Sequence, residues 1–171
     1  NSPRHHWRRF LLLLSSTVVL KALWPLTHKD RRSVLVVDDS VFPRSRSKAV
    51  ELLSRVHDHT TNTYVRGFRM LTLGWSDGNS LIPLAFSLLS SAKETNRFQP
   101  SRQDLDKRSI GYRRRAEAVR KSPDVVVELV RQAKMFRIPA RHVLFDSWFA
   151  FPSLLVRLRA FLGAHPDAVE L

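Results

Sequence analysis

The sequence predicts a mixed α/β fold in which a β-sheet is flanked by helices. Residues 33–37, SVLVV, form a continuous apolar run typical of a strand that is buried on both faces. Two longer apolar runs, at 64–75 and 80–88, flank the turn sequence SDGN and predict an antiparallel hairpin. Elsewhere apolar residues recur at helical spacing, so helices and strands alternate along the chain.

The N-terminal segment predicts a helix over residues 7–23 that ends before Pro25. Its apolar core contains Ser15, Ser16 and Thr17 and is shorter than the roughly 20 residues that cross a bilayer. It also lacks the small-residue cleavage site of a signal peptide. We therefore expect a helix buried in the fold and not a membrane span.

The segment after the first strand predicts a basic loop and then a short helix. The loop contains Arg44, Arg46 and Lys48, and the apolar residues of 49–56 recur at the i, i+3, i+4 and i+7 positions of one helix face. The sequence His-Asp-His at 57–59 follows. Because a His-x-His pair without a third ligand makes a poor metal site, we interpret it as a solvated helix end.

A strongly basic segment covers residues 97–121, with nine Lys or Arg against three Asp or Glu. Little apolar periodicity is present, so the segment predicts an exposed loop and helix. Arg113, Arg114 and Arg115 are candidate DNA contacts, as are the basic residues of the 44–48 loop. The alternative for both groups is a charged, solvated surface.

The last part of the chain predicts a helix, a strand and a further helix. Ser122, Pro123 and Asp124 provide a cap, a first-turn proline and a first-turn acid for a helix that ends near Pro139. Residues 142–145 predict a strand that leads into an acid, and apolar residues at helical spacing follow from 151 onward.

The balance of charge indicates a polyanionic partner. The 171 residues include 29 Lys plus Arg and 15 Asp plus Glu, for a formal net charge of +14. Phosphate backbones attract such a surface through counterion release, so nucleic acid is the leading partner and an anionic membrane surface the second. The absence of cysteine excludes disulfides, thiolate zinc sites and cysteine nucleophiles.

Two acids stand at the ends of apolar strands. Asp39 follows the run at 34–37, and Asp146 follows the run at 143–145. Since α/β sheets place their sites at strand ends, two such carboxylates could hold a pair of Mg²⁺ ions for phosphodiester chemistry. Each acid could alternatively be an ordinary cap or turn residue.

Several ordered strings resemble bacterial insertion-sequence DDE transposases of the insertion-sequence-four type. They are VVDDS at 36–40, KAVELLSRVHDH at 48–59, GFRMLTLGWSDG at 67–78, LSSAK at 89–93 and LFDSWF at 144–149. The resemblance implies a ribonuclease-H-like fold and cut-and-paste DNA strand transfer with two Mg²⁺ ions. It also implies transposon ends and target DNA as partners, and a homodimer in a synaptic complex.

The same resemblance suggests which acids act. We favour Asp39 as the first metal-binding and catalytic acid, and because adjacent residues of a strand face opposite sides, only one of Asp38 and Asp39 can face the metals. Related enzymes carry another acid before the catalytic one, which implies a supporting role for Asp38. Asp146 matches the second acid. The third acid of the family is a glutamate within a Tyr, Arg, Glu, Lys signature. Tyr112 and Arg115 have the correct gap, but Val119 occupies the glutamate position.

These interpretations lead to a set of expectations for the whole chain. We expect an N-terminal helix and connector over 1–32, a partial ribonuclease-H-like core over 33–162 and an atypical tail over 163–171. We expect a transposase catalytic-core fragment, cut from a longer parent, that does not cleave DNA by itself. The alternative is a non-catalytic DNA-binding remnant. We expect no membrane partner and a cytoplasmic, nucleoid-associated location in a bacterium.

Overall fold

The computed structural model describes residues 6–162, and the predicted tail at 163–171 lies outside these described residues. Within them, the chain is α/β, with a mixed five-stranded sheet flanked by helices, as the sequence predicts. The strands are β1 (Val34–Pro43), β2 (Ser54–Asp58), β3 (Thr63–Ser76), β4 (Leu81–Leu89) and β5 (His142–Phe145). The helices are α1 (Trp7–Val18), α2 (Ile110–Ala118), α3 (Ser122–Met135) and α4 (Pro152–Leu162).

The order of strands in the sheet is β2, β3, β1, β5, and β4 also pairs with β3. Strand β1 therefore lies between β3 and β5. The pairing of β1 with β5 is parallel, and its register runs from Val34 opposite His142 to Val37 opposite Phe145. A parallel pair joined by a long connection with helices is the usual α/β solution.

The chain forms two compact units, each assembled from separate segments. The first contains Asp39–Leu71 and Ser87–Ser122. The second contains Trp7–Asp38, Thr72–Phe86 and the chain from Pro123 onward. Strands β1, β3 and β4 thus each contribute residues to both units.

The core of the second unit is formed by α3 and the strands it covers. The apolar stripe of α3 is buried throughout, and it consists of Val126, Leu129, Val130 and Ala133. Trp75 is fully buried in the same unit, and its indole Nε1 donates a hydrogen bond of 2.6 Å to the Pro139 carbonyl. A buried indole requires such an acceptor, so this bond fixes the chain that follows α3.

The N-terminal helix α1 packs against β4 in the second unit. Arg8 donates to the Phe86 carbonyl at 3.0 Å, and Ser15 donates to the Pro83 carbonyl at 2.7 Å. Among the described residues, the helical stretch Trp7–Leu26 is long and apolar enough to cross a membrane by length and composition. Only 22% of the stretch is buried, and Phe10 and Leu14 are exposed. The helix therefore contacts β4 along one side, and the prediction that it is buried in the fold is wrong for most of its surface.

The helix predicted over 49–56 is wrong. The chain turns at Leu52, which has a φ of 58°, and then enters strand β2. Leu52 and Leu53 are buried against Phe68 and Ala118 in the core of the first unit. The apolar residues have the spacing of a helix face, but here they are buried by a turn followed by the start of a strand.

The hairpin between β3 and β4 confirms the turn predicted at SDGN. The Asp77 carboxylate accepts hydrogen bonds from the backbone N–H of Ser80 at 2.8 Å and of Asn79 at 3.1 Å. Thr27 donates to its other oxygen at 3.0 Å, and Gly78 has a φ of 90°. The hydrogen bond from Ser80 is the largest cause of the lowered pKa of Asp77. Asp77 is thus a turn residue whose charged form is stabilised by donors.

Candidate active site

Strand β1 sets which way its two acids face. Leu35 and Val37 are buried on one side of the strand, whereas Val34 and Val36 are half-buried on the other. Because alternate residues share a face, Asp38 continues the side of Val34 and Val36. Its side chain is exposed.

The register of β1 and β5 places a second acid beside Asp38. The last aligned pair is Val37 opposite Phe145, and Asp38 and Asp146 are the residues that directly follow it on the two segments. The backbone of Asp146 is still extended, with φ −64° and ψ 153°. Neighbouring strands lie about 5 Å apart and aligned residues share a face. Asp38 and Asp146 thus form a pair of exposed acids within the second unit.

Asp146 makes one local contact. Ser147 Oγ donates to Asp146 Oδ1 at 3.0 Å, and the Phe149 amide donates to the Asp146 carbonyl at 2.8 Å. The short helical turn that follows β5 is therefore anchored on the acid. This arrangement leaves the second carboxylate oxygen, Oδ2, available to a ligand.

Asp39, which the sequence favours as the first metal ligand, lies in a different environment. Its side chain is 10% exposed, and both of its carboxylate oxygens accept from Arg69, through Nε and through a terminal nitrogen. This two-point pair belongs to the first unit. A metal role for Asp39 stays a prediction, and it would require Asp39 to give up the guanidinium. Sequence analysis did not identify Arg69, because only the strand pairing brings it to Asp39.

The carboxylate oxygens of the two acids are suitable ligands for a hard divalent cation. Among the described residues, the Asp38 carboxylate makes no hydrogen bond or ion pair, and carboxylate oxygens are the ligands that Mg²⁺ prefers. Across residues 6–162, no group of three or more His, Asp or Glu side chains is arranged to hold a metal. The pair therefore offers two carboxylates, which is the usual number for Mg²⁺ that retains water ligands.

Two exposed acids thus follow the parallel pairing of β1 with β5. The family model described as DDE superfamily endonuclease matches residues 3–164. The chain belongs to this DDE superfamily endonuclease family. Membership implies a nuclease or transposase type of function, DNA as substrate and the use of divalent metal ions. Comparison with curated proteins and with solved structures gives no match.

The basic residues singled out from the sequence fall into two groups. Arg44, Arg46 and Lys48 are exposed in the loop after β1. On α2, Arg113 is exposed and Arg114 half-buried. A role for each of these residues in DNA binding stays a prediction.

Arg115 differs, because it pairs with a carboxylate in the first unit. Its Nε donates to Glu51 Oε2 at 2.6 Å and a terminal nitrogen donates to Oε1 at 2.7 Å. The backbone N–H of Arg102 adds a hydrogen bond of 2.9 Å to Glu51. The hydrogen bond from Arg115 is the largest cause of the lowered pKa of Glu51, and burial opposes it. Arg115 thus ties α2 to the turn before β2.

We expect this pair to make stability depend on pH. A carboxyl whose pKa is lowered in the folded state stabilises the fold above its unfolded pKa and loses that contribution as the pH falls. Glu51→Gln should therefore reduce the free energy of unfolding by about 1 kcal/mol at pH 7 and by less near pH 3. Urea unfolding at a series of pH values measures this difference.

Glu94→Gln is the matched control, because Glu94 pairs with Arg97 but is 90% exposed. Its effect on the free energy of unfolding should be close to zero. An equal loss of stability in Glu51→Gln at both pH values would contradict an ionic role for Glu51.

The histidines at 57 and 59 lie at the end of strand β2 and in the turn that follows it, and not at a helix end as predicted. Their Nδ1 atoms are 3.2 Å apart, and His57 Nε2 lies 3.2 Å from Asn62 Oδ1. A neutral His57 that donates to Asn62 and accepts from His59 satisfies both contacts. The pair is therefore explained by hydrogen bonding within the hairpin.

Proposed function

We propose that this chain is the catalytic-core part of a transposase that cuts DNA phosphodiesters with Mg²⁺, held by Asp38 and Asp146. The observation that supports this most directly is the register of β1 and β5, in which two exposed carboxylates directly follow the last aligned pair. Membership of the DDE superfamily endonuclease family and a net charge of +14 are consistent with it. Asp39 is the alternative first ligand.

Each side chain at the site has a distinct role in this proposal. Asp38 and Asp146 supply carboxylate oxygens, and Ser147 orients the Asp146 carboxylate through its hydrogen bond. When bound, Mg²⁺ supplies charge that activates an attacking oxygen and stabilises a leaving oxygen. The ion pair between Asp39 and Arg69 keeps the middle of β1 fixed to β3. A rigid strand is a suitable support for a metal ligand, since small displacements cost much of the rate.

Finer features of the proposal come from the sequence resemblance. We include the insertion-sequence-four type, two ions in the complete site, transposon ends and target DNA as partners, and a homodimeric synaptic complex. A cytoplasmic, nucleoid-associated location is part of the same proposal. The strings at 36–40 and 144–149 support it, because they contain the proposed metal ligands in the family's order.

A second candidate is a DNA-binding protein without catalytic activity. It is favoured by the finding that the described residues offer two carboxylates at the site and no group of three metal-binding side chains. Two ligands hold an ion less firmly than three, so chemistry could be lost while charge and fold are retained. Metal binding distinguishes the two candidates.

The test measures binding of Mn²⁺, a spectroscopic substitute for Mg²⁺, by electron paramagnetic resonance, and DNA binding by fluorescence anisotropy. The proposed function expects saturable Mn²⁺ binding that is displaced by Mg²⁺, together with DNA binding that is steeply salt-dependent. DNA binding without Mn²⁺ binding would favour the non-catalytic candidate. If the protein bound neither Mn²⁺ nor DNA, both candidate functions would be overturned. That the chain alone does not nick plasmid DNA stays a prediction, read in the same samples.

A further inference from the structure

The outward side of the β2–β3 hairpin concentrates positive charge. In the antiparallel register, Arg55 lies opposite Arg66 and His57 lies opposite Tyr64. Opposite residues of such a pair point to the same face, with Cβ atoms roughly 5 Å apart. Arg55 and Tyr64 are exposed and Arg66 is half-buried. Two arginine side chains therefore leave neighbouring positions on one face of the first unit.

Each of these arginines lies over an aromatic ring. The guanidinium carbon of Arg55 is 4.1 Å from the centre of the Tyr64 ring, and that of Arg66 is 4.4 Å from the centre of the Phe98 ring. Arg44 lies 4.7 Å from the Phe42 ring and donates its backbone N–H to the Arg66 carbonyl at 2.7 Å. We call these three arginines and three rings the arginine face.

The position of Phe98 depends on a further contact of β2. Ser54 forms an isolated bridge with Arg97, and the Phe98 amide donates to the Leu53 carbonyl at 2.7 Å. The segment after β4 thus runs along β2 and brings the Phe98 ring beneath Arg66. The arginine face is built by three separate parts of the chain.

These arginines differ from others in the protein. Several arginines form ion pairs with carboxylates, namely Arg69, Arg97, Arg102, Arg115, Arg131 and Arg157. Arg44, Arg55 and Arg66 have no carboxylate within ion-pair distance among residues 6–162. Like charges directly opposite each other destabilise a sheet. A bound anion would offset this repulsion.

We propose that the arginine face binds the phosphate backbone of duplex DNA. A guanidinium held over a ring is restricted in orientation, and its planar fork can donate two parallel hydrogen bonds to a phosphate. Each ring lies under a guanidinium and is therefore not free to stack on a base. The arginines contact phosphates, so binding is independent of the DNA sequence. The proposal rests on the proposed function for the choice of DNA among polyanions.

The test compares Arg55→Gln/Arg66→Gln with Arg131→Gln/Arg157→Gln, which removes the same charge from ion-paired arginines of the second unit. Fluorescence anisotropy of a labelled duplex at several salt concentrations measures affinity. The arginine-face variant should bind about tenfold more weakly, with a salt slope reduced by about two phosphate contacts. The control should lose less than about threefold. Arg55→Gln alone, at an exposed position, should show half of the reduction in slope and keep the fold.

Substitution by lysine tests the stacked geometry. Arg55→Lys/Arg66→Lys retains the charge but loses the planar fork, so its affinity should lie between those of the wild type and the glutamine variant. Affinity equal to wild type in the lysine variant would overturn the role of stacking. Equal losses of DNA affinity in the glutamine variant and in its control would overturn the proposal that the arginine face binds DNA.

Two further measurements separate the surface from the proposed function. Mn²⁺ binding should be unchanged in Arg55→Gln/Arg66→Gln, so a failure of the arginine face leaves the metal result intact. Binding to phosphatidylserine vesicles should be weak in the wild type. Strong vesicle binding that the glutamine variant loses, with DNA binding retained, would assign the face to a membrane and overturn the proposal.

Discussion

Asp38→Asn and Asp146→Asn should each weaken Mn²⁺ binding by at least about tenfold, while leaving DNA binding within about twofold of the wild type. Each change replaces a charged oxygen ligand by an amide and does not affect the basic surfaces. Because the site offers two carboxylates, loss of one removes half of its protein ligands. Electron paramagnetic resonance titration and the anisotropy assay measure the two effects.

Asp39→Asn is the matched comparison, since it removes the neighbouring acid of the same strand. It should leave Mn²⁺ affinity near that of the wild type and reduce the free energy of unfolding by about 1 kcal/mol, because Arg69 loses a charged partner. The opposite pattern, with metal binding lost in Asp39→Asn and kept in Asp38→Asn, would establish Asp39 as the ligand, as the sequence favours.

Gly67→Ala should reduce the free energy of unfolding by about 3 kcal/mol. Gly67 lies in β3 opposite Ser54, and a Cβ added there would overlap the backbone carbonyl oxygen of Phe42 and lie 3.1 Å from Pro43 Cα. A backbone group in a sheet cannot move aside as a side chain can, so the strands must separate. Urea or thermal unfolding followed by circular dichroism measures the loss.

Gly74→Ala provides the control in the same strand. Its Cβ would lie 3.1 Å from Leu81 Cδ1, which is the end of a flexible and exposed side chain. The change in the free energy of unfolding should be smaller than about 1 kcal/mol. If both variants were equally stable, close approach of β1 to β3 at Gly67 would not be a constraint on the fold.

Much of the sheet could be predicted because its strands carry their own local patterns. The run at 34–37, the turn residue Gly78 and the apolar residues before Asp146 each indicate one element and its end. Strand β2 could not be predicted in this way. Its residues alternate between buried and exposed only over Ser54–Asp58, and the apolar leucines before it suggest a helix.

The site was predictable in residue type and less so in geometry. Sequence predicts that Asp38 and Asp39 face opposite sides, but it does not say which side is open. The exposed side of β1 is set by what packs on each face of the sheet. Asp39 meets Arg69 only because β1 pairs with β3. The arginine face has the same origin, since Arg55 and Arg66 become neighbours through strand register.

The contacts between α1 and β4 bear on solubility. Within residues 6–162, β4 pairs with β3 on one side, so its other side is an edge of the sheet. Such edges can recruit strands from other molecules. Arg8 and Ser15 donate to the Phe86 and Pro83 carbonyls of β4, and Pro83 itself has no N–H to offer. The N-terminal helix thus covers part of β4, but it also exposes Phe10, Leu13 and Leu14, and an apolar surface of this kind favours self-association through the helix.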